Sequence, residues 1–145
     1  MVNTKQNDLI IKEKIIMTQR EIDTMDVIVN KMSEGAKLSQ ALKEVYTQRH
    51  VLVPYDPDNF NISLMDLKMS RRSTNALLRA GLRTLGDVVN YCSKRKITDI
   101  ANLGQNSGVE IFEVILDYCW QHMSATERKD FLIDTVERNS IYARI

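Results

Sequence analysis

Cysteine, proline and glycine are all scarce in this chain, with two, two and five copies in 145 residues. Cys92 and Cys119 stand outside any CxxC spacing and far from a histidine pair, which argues against a disulfide scaffold or a zinc site. Both read as reduced, partly buried thiols. The low glycine and proline content argues against disorder, collagen-like repeats and a loop-rich all-β fold. Apolar runs stop at three residues, as in Leu9-Ile10-Ile11 and Val51-Leu52-Val53, whereas a membrane span needs roughly 20. The first 17 residues interleave Asp8, Lys12, Glu13 and Lys14 among apolar positions, unlike a secretory signal, so a cytoplasmic location with no membrane contact is expected. Charge of one sign is lacking too. Twenty Lys and Arg face 19 Asp and Glu, a net of +1 that excludes a polycationic tail. There is no P-loop, GxGxxG, HExxH or GxSxG. His50 and His122 lie far apart without a ligand or triad partner at motif spacing. No enzyme activity, metal or cofactor is expected.

What is present is helical periodicity. Thr18-Gln19-Arg20-Glu21 has capping-box spacing, Ile22, Met25, Val29 and Met32 recur at helical intervals, and Gly35 supplies a left-handed stop. Leu38, Ala41, Leu42, Val45 and Tyr46 form a second stripe. The two make a helical hairpin over residues 18–50, after an N-terminal tail of residues 1–17. A two-helix unit is too small to stand alone, so it must cover its stripes with the rest of the protein or a second copy. Residues 51–61 hold Pro54 and Pro57 with turn-favouring Asp and Asn, and read as a linker.

Short helices follow. Ser70 caps one whose inner face is Ala76, Leu77 and Ala80, ended by Gly81. Thr84 caps another that buries Leu85, Val88, Val89 and Cys92. After the polar break Lys94-Arg95-Lys96, Ile97 to Ile100 gives a short helical turn. Asn102-Leu103-Gly104 is a tight hairpin into a longer helix with Ile111, Val114, Ile115, Tyr118 and Cys119 inward. Ser124-Ala125-Thr126-Glu127 is a second capping box, opening a final helix with Phe131, Leu132, Thr135 and Val136 buried. No stretch alternates with period two, so the fold class is all-α.

Two hairpins, at Gly81 and Gly104, precede new helices whose N-termini present N–H groups and the positive end of a dipole to an anion. Asn106 and Ser107 add side-chain donors at the second. From Lys68 to Ser107 there are eight bases, Lys68, Arg71, Arg72, Arg79, Arg83, Lys94, Arg95 and Lys96, and only two acids, Asp87 and Asp99. The net charge of this window is +6, and all other residues together sum to −5. A local basic excess beside phosphate-seating turns suggests binding to a nucleic-acid backbone.

Three separated blocks carry a family resemblance: Ile62-Ser63-Leu64-Met65-Asp66-Leu67 with Ser70-Arg71-Arg72-Ser73-Thr74-Asn75-Ala76-Leu77, then Ala80-Gly81-Leu82-Arg83-Thr84-Leu85-Gly86-Asp87-Val88, then Asn102-Leu103-Gly104-Gln105-Asn106-Ser107 with Glu110-Ile111. In order and spacing they resemble the C-terminal domain of the bacterial RNA polymerase α subunit, over about residues 62 to 120. The resemblance implies a compact helix-hairpin-helix-type bundle, here over residues 62–123, preceded by the helical hairpin and followed by a helical extension over residues 124–145. It implies binding to the minor groove of A·T-rich double-stranded DNA, and contacts with transcription activators and the σ subunit. Arg72 matches the groove-entering arginine and Asn75 its neighbouring contact. Asn102, Gly104, Ser107 and Glu110 match the contacts of the second hairpin, and Asn106 stands where the family has a lysine, keeping a donor but losing a charge. The polymerase's assembly domain has no counterpart in the first 60 or so residues.

The expectation is a stand-alone, non-catalytic, transcription-associated bacterial DNA-binding protein whose residues 18–50 serve dimerisation or partner binding. One alternative is an interaction module that mimics the polymerase domain and binds polymerase, σ or activators without DNA. Another is a helix-hairpin-helix protein that reads DNA structure in repair or recombination.

Overall fold

The computed structural model describes residues 17–47, 51, 53 and 61–145. The tail and most of the linker expected from sequence lie outside the described residues. Six α-helices account for most of the rest: α1 Gln19–Ser33, α2 Leu38–Val45, α3 Arg71–Arg79, α4 Leu85–Cys92, α5 Gln105–Gln121 and α6 Ala125–Arg138, with single 3-10 turns at Leu64–Asp66, Ile97–Asp99 and Ser140–Tyr142. Among the described residues extended pairing is limited to two isolated bridges, Tyr46 with Ala143 and Ser63 with Thr84. The all-α expectation holds.

Local chemistry explains most boundaries. Ser70, Thr84 and Ser124 each accept a bond from the third residue of their helix, and the last two complete capping boxes with Asp87 and Glu127. Gly35 and Gly81 adopt φ of +110° and +86°. At Gly81 the Leu82 N–H returns to Leu77 O and the Gly81 N–H to Leu78 O, and at Gly35 the Ala36 N–H returns to Lys31 O in the same way, a Schellman closure that only glycine enters without strain. The Thr18 box is half made. Thr18 Oγ1 accepts from the Glu21 N–H, but Glu21 Oε2 is buried with no partner among the described residues.

The helical hairpin is docked on the remainder of the same polypeptide. α1 packs on α2 and α6, and α2 packs on α5. One apolar core runs from Ile28, Leu38, Leu42 and Val45 through Leu64, Leu77, Leu85 and Val88 to Ile115, Leu116, Phe131 and Val136. Because α1 touches two helices, its buried centre is Thr24 and Ile28, and Val29, expected in the stripe, is exposed. Leu116 is buried beside Ile115 while Val114 and Tyr118 are half-buried. Cys119 is buried, but Cys92, expected inside, lies exposed at the last turn of α4. Ala80, expected on the inner face of α3, is exposed too, because it falls at the C-cap where the backbone leaves the core.

Polar contacts lock the docking. Asp117 of α5 accepts from the Ser39 N–H at 2.9 Å and the Ser39 hydroxyl at 2.6 Å, supplying α2 with the cap that Lys37 does not provide. The Thr47 N–H donates to Tyr142 O and the Arg144 N–H to Val45 O. Arg20 Nη2 donates to Ala143 O at 2.8 Å.

Candidate nucleic-acid interface

On α3, burial of Ser73, Ala76 and Leu77 turns the opposite face outward. Arg72, Asn75 and Arg79, spaced three and four residues apart, are exposed on it. Arg71 and Arg72 directly follow the Ser70 cap, in the first turn.

On α5, the entrance is a turn between two buried apolar residues, Ile100 and Leu103, closed by the Leu103 N–H to Ile100 O bond at 3.1 Å. The turn residue with positive φ is Asn102, at +69°. The glycine pattern assigns the tight turn to Gly104, but Gly104 is the extended N-cap at φ −86° and ψ −177°. Asparagine is among the few side chains that enter the left-handed region readily. A Cβ added at Gly104 would meet nothing within 4 Å, so the fold does not require glycine there. Its absent side chain leaves open the approach to the end of α5, whose first intrahelical bond runs from the Gly108 N–H to Gly104 O.

Glu110 joins the two elements. Its Oε1 accepts from the Ser73 hydroxyl at 2.6 Å, the Ser70 hydroxyl at 2.8 Å and the Ser70 N–H at 3.3 Å. The Ser73 bond first, then those from Ser70, hold the carboxyl below its usual range against the opposing effect of partial burial. Glu110, matched to a contact position, is therefore engaged in bringing the N-terminus of α3 onto α5. The start of α3, with Arg72 in its first turn, is thereby tied to the second turn of α5, although Ser70 and Glu110 are 40 residues apart in sequence. Asn106, four residues before Glu110, is exposed on nearly the same flank of α5. With Val109, Phe112 and Glu113 it lines a groove of about 430 Å³ against Ser39, Leu42 and Lys43 of α2.

No ion pair among the described residues neutralises the basic segment. All eight of its Lys and Arg residues are exposed. Among the described residues the ion pairs are Lys31 with Glu44, Lys43 with Glu113 and Arg138 with Asp134, none of them drawn from the segment. Asp87, one of its two acids, is engaged by backbone donors at the start of α4. It accepts from the Arg83 and Thr84 N–H groups at 2.9 and 3.1 Å, and these bonds hold its carboxyl below the ordinary value. The sequence pattern counts Arg79 in the charge but not among the candidate contacts; its helical spacing from Arg72 and Asn75 puts it on their exposed face. No group of metal-ligating side chains occurs among the described residues, and no described helix is long and apolar enough to cross a membrane.

Residues 54–117 match the family described as the C-terminal domain of the alpha subunit of bacterial RNA polymerase. The protein is 33% identical over 73 residues to the DNA-directed RNA polymerase subunit alpha of Thalassiosira pseudonana, covering 50% of this sequence and 23% of that one. Against the same subunit of Mycoplasmopsis synoviae it is 32% identical over 75 residues, 52% of this sequence and 22% of that one. Against that of Rhodomonas salina it is 28% identical over 120 residues, 77% of this sequence and 37% of that one. It thus spans less than two fifths of each of these relatives. No solved structure gives a significant match. The matched residues are a domain like the C-terminal domain of the polymerase α subunit.

Proposed function

We propose that this is a non-catalytic, transcription-associated protein that binds A·T-rich duplex DNA through the convergent N-termini of α3 and α5. The observation that carries the reading is the exposed basic segment, without an ion pair among the described residues, around two helices that Glu110 ties together. In this reading Arg72 enters the narrow, electronegative minor groove, where a guanidinium responds to width and potential more than to base identity. Asn75 contacts the groove edge, and the Asn102 to Ser107 turn seats a flanking phosphate that the missing Cβ of Gly104 lets approach. Glu110 acts as a positioning residue.

Titration of an A·T-rich duplex tests the proposal. Arg72→Ala should lose about tenfold or more in affinity, since one groove contact contributes about 1–3 kcal/mol, with no loss of stability because the side chain is exposed. Equal binding by wild type and Arg72→Ala, or none by either at low salt, would sink it. The protein partners fitting this reading are RNA polymerase, its σ subunit or an activator, and polymerase recovered from a bacterial lysate after nuclease treatment would favour the interaction-module alternative. A homodimer through residues 18–50 would have to use the outer faces of α1 and α2, because their inner faces are covered by α5 and α6.

A further inference from the structure

We propose that Lys94, Arg95 and Lys96 form a second cluster of phosphate contacts, one to each side chain, on the flank of α5 opposite α3, which widens the DNA-binding face by one helix diameter. The inference rests on the proposed DNA-binding reading and adds residues that the family-matched positions do not include. A run of three bases in a loop is ordinarily a solvated break, so position decides the matter here. The loop is tied at its start, where the Lys94 and Arg95 N–H groups both return to Tyr91 O at 3.1 and 2.9 Å. At its end Lys96 leads directly into the Ile97–Asp99 turn, which packs on α5.

That packing depends on Gly108. A Cβ there would lie 3.0 Å from Ile97 Cγ2 and 3.7 Å from Thr98 Cγ2. Glycine inside a helix costs about 0.5–1 kcal/mol relative to alanine, and here it lets the turn press against the start of α5. Gly108 and Glu110 are two residues apart, about 200° around the helix. The basic loop and the arginine face of α3 therefore stand on opposite flanks of the same helix end, with the roughly 10–12 Å width of α5 between them. Along a duplex this is on the order of three base steps at 3.4 Å each. The occupant that fits bases on both flanks of an anion-seating helix end is a continuous phosphate backbone. No carboxylate among the described residues pairs with the three side chains, so their charge is available to it.

The salt dependence of duplex binding tests this. Lys94→Gln/Lys96→Gln is compared with a control pair of equal charge change, Lys37→Gln/Lys129→Gln, at exposed sites at the start of α2 and on α6, and with Arg72→Ala. Each phosphate contact contributes about 0.9 to the slope of log affinity against log salt. The loop pair should lower the slope by about 1.8, so that the affinity lost between 50 and 200 mM salt shrinks about 12-fold, while the control pair leaves the slope unchanged. Circular dichroism should show all variants folded. If the loop pair behaves like the control while Arg72→Ala still weakens binding, the loop proposal is overturned and the DNA-binding reading stands, with the loop left to solvent or to an acidic protein. If wild type fails to bind at 50 mM salt, both fall.

Discussion

Replacing Glu110 separates a residue that touches DNA from one that builds the surface. One carboxylate oxygen takes three bonds, from the Ser73 hydroxyl at 2.6 Å, the Ser70 hydroxyl at 2.8 Å and the Ser70 N–H at 3.3 Å. A bond to a charged group contributes about 1.5–3 kcal/mol when shielded. Glu110 is partly exposed and Ser70 is exposed, so solvent screening reduces the sum well below three such bonds. Ser73, at 0% exposure, retains only the Ser70 hydroxyl at 3.1 Å if the carboxylate is removed. Glu110→Ala should therefore cost about 2 kcal/mol, and Glu110→Gln, which keeps a neutral acceptor, about half of that. The pH dependence has a defined sign. The folded carboxyl titrates below its unfolded value, so its contribution is complete above the unfolded pKa of about 4.3 and disappears as pH falls through the folded one. Urea unfolding at pH 7 and pH 3 should show the gap between wild type and Glu110→Gln closing in acid. DNA titration gives the second readout: Glu110→Gln removes a negative charge beside phosphates while keeping α3 in place, so low-salt affinity should hold or rise, whereas Glu110→Ala should weaken it. A Glu110→Ala variant within about 0.5 kcal/mol of wild type, or a gap as wide at pH 3 as at pH 7, would refute the positioning role.

Asp117→Ala should cost about 2 kcal/mol by leaving the buried Ser39 N–H and hydroxyl without their acceptor, and hydrogen exchange should quicken in α2 before α3 or α4. Gly81→Ala should destabilise by about 1–2 kcal/mol because its φ of +86° is left-handed. Gly104→Ala, with φ of −86° and open space, should leave the melting temperature unchanged yet weaken DNA binding. The Tyr46 hydroxyl is buried with no partner among the described residues, and burial first, then the nearby Glu21, raises its pKa. Tyr46→Phe should accordingly be neutral or stabilising by about 1 kcal/mol in a denaturant titration.

Much of the fold is legible in the sequence because it is decided within a few residues. Ser70, Thr84 and Ser124 cap where their side chains reach the next turn, and Gly35 and Gly81 stop helices where only glycine fits. The misplaced residues share a cause. Val29 and Cys92 sit at helical intervals with buried residues, yet a stripe does not state how wide a partner covers it. Glycine is the usual left-handed residue, which points to Gly104 for the turn, while Asn102 occupies it.

For the candidate site, the basic excess between Lys68 and Ser107 and the three matching blocks are visible in the sequence alone. The tertiary structure decided the joins. Asp117 caps α2 from 78 residues away, Glu110 closes on Ser70 across 40 residues, and Gly108 admits a turn that begins eleven residues earlier. Local preference acts through contacts of four or five residues, and many long-range pairings satisfy it equally well. Selecting among them takes the joint requirement that every buried donor find an acceptor and every apolar face find cover.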